Sequence, residues 1–479
     1  MSQDIRSSRY LPMKDRIRTA LLIALPAGLL AAYLTLAPVC NPLKSTPGVA
    51  TGRSDPLDAA PGELLVKYRQ PMFALSRRVV NDAVGAKEIG QIGDLGVSRI
   101  AVDPGVSLEE AARRFGSVPE VEYAEPNIIF RTQTVPNDPF YVGRQQWYYD
   151  LINAPKAWDV EKGEPSVIIA VLDTGMDITH PDLKDNLWTN RADVAGNGLD
   201  DDANGCVDDV HGCDFAETST ACPGAQAGPN PDVDDDNGHG TFVAGIAAAR
   251  GSNGAGVTGM APNVMIMPVK VLDCEGAGSA LAATQGVLYA AKSGARVINM
   301  SFGADEDSLT LRAAIAEAHD RYGAVIVAAA GNSGEASVAF PARDDQVIAV
   351  AASDHRNPDA KAPFSNWGPQ VTVAVPGVDI MSTLPAKYCG PGWSCVSGQP
   401  YALGSGTSFA APLVAGTVAL ILSKGPPMSP DAVKSRLTTT AVDLPDGAYT
   451  HWDGAGRVQA DLALEGKSYR VGVSGIVRN

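Results

Sequence analysis

Gly404-Ser405-Gly406-Thr407-Ser408-Phe409-Ala410-Ala411-Pro412 is a turn of small residues that runs directly into the apolar, helix-spaced stretch 413–422. It sets one hydroxyl, that of Ser408, at a helix N-terminus, where backbone N–H groups are unpaired and negative charge is favoured. A serine hydroxyl is a poor nucleophile at neutral pH unless a base within hydrogen-bond reach takes its proton. Asn237-Gly238-His239-Gly240-Thr241 opens a second helix of small residues, and the glycines on both sides of His239 allow close approach. Val171-Leu172-Asp173-Thr174-Gly175 ends a continuous apolar run, which places Asp173 at the end of a strand as the acid that would orient His239. The competing base, His180 in Thr179-His180-Pro181-Asp182-Leu183, follows the acid by only a few residues and is assigned to the local fold. His211, His319, His355 and His451 have no comparable context. Alone, Asp173 would read as an ordinary strand-end aspartate. Asp-Thr-Gly also occurs in proteases with paired catalytic aspartates, but this chain carries no second copy.

Outward from these three points, strongly apolar runs at 167–172, 265–271, 297–300, 324–329, 347–351 and 371–375 alternate with amphipathic segments. Such runs read as strands buried on both faces, and their alternation with helices predicts an α/β fold, a three-layer α/β/α sandwich with a mainly parallel sheet. In open sheets of this kind sites gather at the carboxyl ends of strands, where Asp173, Ser301 and Asn332 each fall. Upstream, 63–68 and 97–102 alternate as half-buried strands, and Ser107-Leu108-Glu109-Glu110 has the form of a capping box. That segment reads as a small α+β unit. The expected division is 1–40 signal or anchor, 41–61 linker, 62–136 small domain and cleavage junction, 137–465 main domain and 466–479 tail.

In chain order Asp, His, Ser, within these contexts, the chain resembles the subtilisin-like serine proteases (peptidase S8) over most of residues 63–464. The resemblance implies a serine endopeptidase acting on polypeptides through an acyl-enzyme. It implies an oxyanion hole formed by the Ser408 N–H and by Asn332, which ends Ala328-Ala329-Ala330-Gly331-Asn332. It further implies that substrate lies as an added strand between Gly276-Ala277-Gly278 and Ser301-Phe302-Gly303. Ala329, Ala330 and Gly331 would then wall a pocket for an apolar side chain, braced by a cis Phe340-Pro341 peptide. Pro119-Glu120-Val121-Glu122-Tyr123-Ala124-Glu125-Pro126-Asn127 resembles the end of the family's inhibitory prodomain, which implies a zymogen cut within 131–136 and a mature start near Asn137. A noncatalytic peptide-binding protein on the same fold is the alternative from another class. A lipase-like hydrolase would need Gly-x-Ser-x-Gly, which Thr407-Ser408-Phe409-Ala410 does not provide.

At 479 residues and 45% hydrophobic content, the chain has material for more than one domain and a large core. A net charge of -16 argues against a nucleic-acid partner. Residues 19–39 form a nearly uncharged apolar segment behind Lys14, Arg16 and Arg18, long enough to span a bilayer with the N-terminus inside. Export follows whether that segment is a cleaved signal or a retained membrane anchor. Seven cysteines suit an oxidising compartment. With Cys40 set aside, Cys206 with Cys213 and Cys389 with Cys395 would close small loops and leave Cys222 with Cys274, although fifteen pairings are possible in principle. Asp200-Asp201-Asp202-Ala203-Asn204-Gly205 matches the first half of a calcium loop. Its twelfth position is His211 instead of glutamate, so the expected structural calcium ligands are Asp200, Asp202, Asn204 and Asp208. Residues 232–236 read as a charged surface loop.

Overall fold

The computed structural model describes residues 59–69, 73–129, 135–217, 222, 228–354, 356–389, 393, 395–444, 451–467 and 477–478. The apolar segment 19–39, Cys40 and most of the expected cleavage stretch lie outside the described residues.

The N-terminal part contains β1 (Ala59–Tyr68), α1 (Ala74–Val84), β2 (Ala86–Ile92), β3 (Val97–Val102), α2 (Leu108–Gly116) and β4 (Val121–Ile128). Its strands pair antiparallel in the order β4-β1-β3-β2. Period-two alternation puts Leu64, Val66 and Tyr68 of β1 in one core with Ile100 and with Ala111, Ala112 and Phe115 of α2. Only half of the expected capping box forms. Ser107 Oγ accepts the Glu110 N–H at 3.2 Å, but the Glu110 carboxylate turns to the guanidiniums of Arg113 and Arg114.

The main domain continues with α3 (Gln146–Leu151), α4 (Ala154–Trp158), β5 (Ile168–Asp173), β6 (Cys213–Asp214), α5 (His239–Ala248), β7 (Met265–Lys270), α6 (Ala280–Lys292), β8 (Val297–Met300), α7 (Leu309–Asp320) and β9 (Val325–Ala329). There follow β10 (Val347–Asp354), β11 (Asn357–Lys361), β12 (Val373–Pro376), β13 (Ile380–Thr383), β14 (Tyr401–Gly404), α8 (Thr407–Lys424), α9 (Pro430–Thr440) and α10 (Ala460–Glu465). The large sheet runs β11-β10-β9-β8-β5-β7-β6, with β12 also on β10, and every pairing except β10 with β11 is parallel. Each expected apolar run holds one of these strands.

Alternation within the strands explains the three layers. Ile169 and Val171 of β5, Val325 and Val327 of β9, and Ile348 and Val350 of β10 pack toward α5 and α8. Ala170 and Leu172, Ile326 and Ala328, and Val347 and Ala349 face α6 and α7 on the opposite side. Helix α8 is apolar all round because it is a core helix, buried from Phe409 to Ile421. Beyond α10, within the segment expected as a tail, Val477–Arg478 (β15) pairs antiparallel with β4 and adds a strand to the small sheet.

The chain leaves β5 through α5 to β7 on one side and returns through α6 to β8 on the other, so a switch point lies at the carboxyl end of β5. Helix α5 can start against that end only because residue 240 lacks a side chain. A Cβ there would fall 2.1 Å from the Gly175 carbonyl oxygen and 3.2 Å from Asp173 Cβ. Both obstacles are fixed, the first being backbone, so Gly240→Ala should destabilise the domain by about 3 kcal/mol. Urea unfolding in a Ser408→Ala background, where self-digestion cannot confuse the reading, measures this; an unchanged midpoint would contradict it.

Candidate active site

Asp173 is the last residue of β5 and fully buried; His239 is the first residue of α5, with 24% of its side chain exposed. His239 Nδ1–H donates to Asp173 Oδ1 at 2.7 Å, and the Thr174 N–H donates to the same oxygen at 2.8 Å. This bond selects the tautomer whose Nε2 is the open, basic nitrogen. Burial by itself would push the imidazole pKa down. The charge of Asp173 and its hydrogen bond, followed by the charge of Asp235, more than reverse this and leave it raised.

Ser408 is the second residue of α8, so its N–H has no carbonyl within the helix to bond. Two reciprocal bonds latch its turn to the end of β8: Ser408 Oγ–H donates to the Ser301 carbonyl and Ser301 Oγ–H to the Ser408 carbonyl, each at 2.8 Å. Ser408 Oγ therefore does not bond His239 in this structure, unlike the relay expected from sequence. A hydroxyl has one proton, and here the Ser301 carbonyl takes it. The ring of Phe409 lies 5.4 Å from that of His239, so the nucleophile's turn and the base are neighbours. Asn332, beyond β9, accepts with Oδ1 from the Thr407 N–H at 2.8 Å and from Thr407 Oγ1–H at 2.9 Å. That fixes the amide and leaves Nδ2 beside Gly406, without a partner among the described residues, at the start of the same helix.

Among the expected substrate edges, Ser301 is buried, Phe302 half-buried and Gly303 exposed, and Gly303 packs so that a Cβ would lie 2.9 Å from that of Ala339. In the 276–278 segment both the N–H and the carbonyl of Ala277 are bonded to Asp273, whereas those of Gly278 have no partner among the described residues. Glycine at 278 serves packing as well as openness, since a Cβ would meet the Val271 carbonyl oxygen at 2.2 Å. Ala330 is pinned by the Val350 carbonyl and the Ala339 N–H, and Gly331 adopts φ +108°, with the Asn366 amide 2.4 Å from where a Cβ would stand. The Phe340-Pro341 peptide is cis, as the resemblance implied.

The acidic loop departs from its expectation. Asp200 and Asp202 converge, each offering an oxygen 3.1 Å from the Asn204 N–H, while Asp208 turns away to the N–H groups of Asn197 and Gly198. Asn204 points Nδ2, a donor, at Asp202 and Asp209. The four residues thus do not gather as one ligand set, and among the described residues no group of three or more His, Cys, Asp or Glu side chains is poised for a metal. The loop's anchor is a residue that sequence spacing does not single out. Asp209 is fully buried, accepts from Asn190, Asn204 and the Tyr289 hydroxyl, and is pushed by burial up to about 6. Among the described residues the disulfides are Cys206–Cys213, Cys222–Cys274 and Cys389–Cys395. His180 bonds the Pro400 carbonyl and the Asp182 N–H, a structural role as expected.

Comparison with known proteins converges on one family. The model of the Subtilase family (peptidase S8) matches residues 164–456, and that of the Fervidolysin N-terminal prodomain matches residues 45–127. The thermophilic serine proteinase of Bacillus sp. (strain AK1) is 38% identical over 368 residues, 76% of this chain and 78% of the relative. Thermitase of Thermoactinomyces vulgaris is 37% identical over 330 residues, 69% of this chain and 99% of the relative. Among solved structures, a protease from Pseudoalteromonas arctica PAMC 21717 superposes with a TM-score of 0.57 at 30% identity, covering 69% of this chain and 99% of that one. With the α/β/α fold and the matches extending across both parts, the chain belongs to the subtilase family and is a subtilisin-like serine endopeptidase preceded by a prodomain.

Proposed function

We propose that Ser408 is the nucleophile, His239 the general base and acid, and Asp173 the group that orients His239. The reading is carried by one observation, the 2.7 Å Asp173–His239 bond beside the turn that bears Ser408. As Ser408 Oγ attacks the scissile carbonyl carbon, its proton passes to His239 Nε2 and the carbonyl oxygen becomes an oxyanion. The Ser408 N–H and Asn332 Nδ2 donate to that oxygen. The imidazolium, held at Nδ1 by Asp173, gives its proton to the departing amine, the C–N bond breaks and an acyl-enzyme remains. Water then repeats the sequence, losing its proton to His239 and releasing the carboxylic product from Ser408.

Polypeptide substrate is proposed to lie between 276–278 and 301–303. The unbonded Gly278 backbone supports an added strand, and Ala329, Ala330 and Gly331 form a pocket wall without charge, suited to apolar side chains. The proposed organisation keeps 1–40 as signal or anchor, 41–61 as linker, 62–136 as prodomain with its junction, 137–465 as catalytic domain and 466–479 as tail. The chain is made as a zymogen that its own active site cuts within 131–136, and export is directed by 19–39, cleaved or retained in the membrane. Calcium is proposed as a structural ion at Asp200 and Asp202, whose adjacent carboxylates meet only N–H donors and carry unbalanced negative charge.

Expressed in an oxidising compartment, the wild-type protein should lose everything before about Asn137, whereas Ser408→Ala should accumulate uncut; terminal sequencing and mass give both answers. Maturation of the alanine variant at low concentration, free of other proteases, would overturn self-processing. A fluorophosphonate should label processed wild type and not the variant. Chelation should lower the Tm of the wild-type enzyme, with recovery on adding calcium, and Asp200→Asn with Asp202→Asn should remove that part of the response. An unchanged response in the double variant would exclude this loop as the site.

A further inference from the structure

Segment 232–236 is not uniformly a surface loop: Asp235 is fully buried. Its Oδ1 accepts from Thr174 Oγ1–H at 2.9 Å, from the Asn237 N–H at 3.0 Å and from the Gly238 N–H at 2.7 Å. Its Oδ2 accepts from the Thr241 N–H at 2.8 Å and from Thr241 Oγ1–H at 2.6 Å. Burial raises the Asp235 pKa, while three fixed N–H donors spread over both oxygens oppose that shift and favour the anion, here at the first turn of a ten-residue helix.

These partners are the chain neighbours of the reacting pair. Thr174 follows Asp173 and sends its own N–H to Asp173 Oδ1; Thr174 Oγ1 in turn accepts the Gly240 N–H at 2.9 Å. Gly238 and Gly240 flank His239, so Asp235 binds one of them directly and the other through a single hydroxyl. Thr241 Oγ1 also accepts the Asp177 N–H at 2.9 Å, tying the helix to the segment after β5 a second time. One carboxylate therefore holds the end of β5 and the head of α5 together on both sides of the Asp173–His239 bond.

Asp173 faces the imidazole from β5, and Asp235 lies behind it. At the end of β7, Lys270 Nζ bonds the Thr174 carbonyl at 2.7 Å and the Leu272 carbonyl at 3.1 Å, with its charge matched by Asp236 at 2.5 Å. Lys387, which also faces Asp235, is paired with Asp234 at 2.5 Å; with both lysines paired, the uncompensated charge near the ring is negative, the sign that favours an imidazolium.

We propose that Asp235 is a positioning residue of the hydrolytic reaction: it registers His239 against Asp173 through Thr174 and the two flanking glycines, and its buried charge stabilises the imidazolium formed during attack on the peptide. The inference rests on His239 being the base. Loss of the charge should lower the His239 pKa. Since activity rises with pH as the imidazolium loses its proton, the acid limb of kcat/KM should move to lower pH.

The test uses purified mature enzyme, processed where necessary by immobilised wild-type protein, with kcat and KM on a chromogenic peptide from acid to alkaline pH. Asp235→Asn should reduce kcat by about 10- to 100-fold with little change in KM, and shift the acid limb downward. Thr174→Val, which removes the bridging hydroxyl and keeps the charge, should reduce kcat without that shift, and Thr174→Ser should recover the loss. A folded Asp235→Asn enzyme with wild-type kcat, or with its acid limb in place, would overturn the proposal. If Asp235→Asn does not fold, a Thr174→Val enzyme with full kcat overturns it alone. Activity in His239→Ala would instead remove the reading on which the inference rests, so the two failures are distinguishable.

Discussion

The hydrogen bond from His239 to Asp173 joins the end of the sheet to the head of a helix, and the surrounding architecture is arranged so that it can form. A carboxylate buried at a strand end is costly unless donors meet it; the imidazole and the Thr174 N–H meet Oδ1, while Oδ2 is buried without a partner among the described residues. The helix reaches the strand only across a glycine contact, and the same contact fixes where the base stands. Parallel strands, whose carboxyl ends all lie on one edge, then bring β8 and β9 to the same place. That is how residues far apart in the chain, at 173, 239, 301, 332 and 408, become neighbours.

The nucleophile's turn is held by a different device. Two serines exchange hydroxyl-to-carbonyl bonds between β8 and α8, and Thr407 holds the Asn332 amide by its oxygen. Both arrangements spend acceptors and keep donors available: the Ser408 N–H and Asn332 Nδ2 both lie by the nucleophile without a partner among the described residues. An anion cradle assembled before substrate arrives costs no reorganisation when the oxyanion forms. The resting Ser408 hydroxyl is itself bonded to the Ser301 carbonyl, so its activation must break that bond.

Much of this was legible in sequence because it depends on local signals. Apolar runs located every strand that supports the site, since strands buried on both faces need no polar alternation. Glycine and small residues around 239 and 408 gave the helix starts. What could not be read was how polar groups choose partners across space. Asp235 and Asp236 are adjacent and chemically identical, yet one is buried among five donors and the other pairs with Lys270 near the surface. Asp208 has the spacing of a ligand beside Asp200 and Asp202, but its positive φ of 58° turns it toward another part of the loop. Glu110 has a capping-box position and prefers two guanidiniums, a stronger charge-assisted pairing than a backbone N–H.

The central claim is that Asp173 holds His239 by its Nδ1 proton in the folded protein, independently of substrate. Proton NMR of the mature domain carrying Ser408→Ala, with nitrogen-labelled histidine, examines that proton directly. A strongly deshielded exchangeable proton on His239 Nδ1, lost when Asp173 is replaced by asparagine, is the expected result. A His239 ring in the folded protein that carries its proton on Nε2 with Nδ1 bare, or an Nδ1 proton indifferent to the replacement of Asp173, would contradict it.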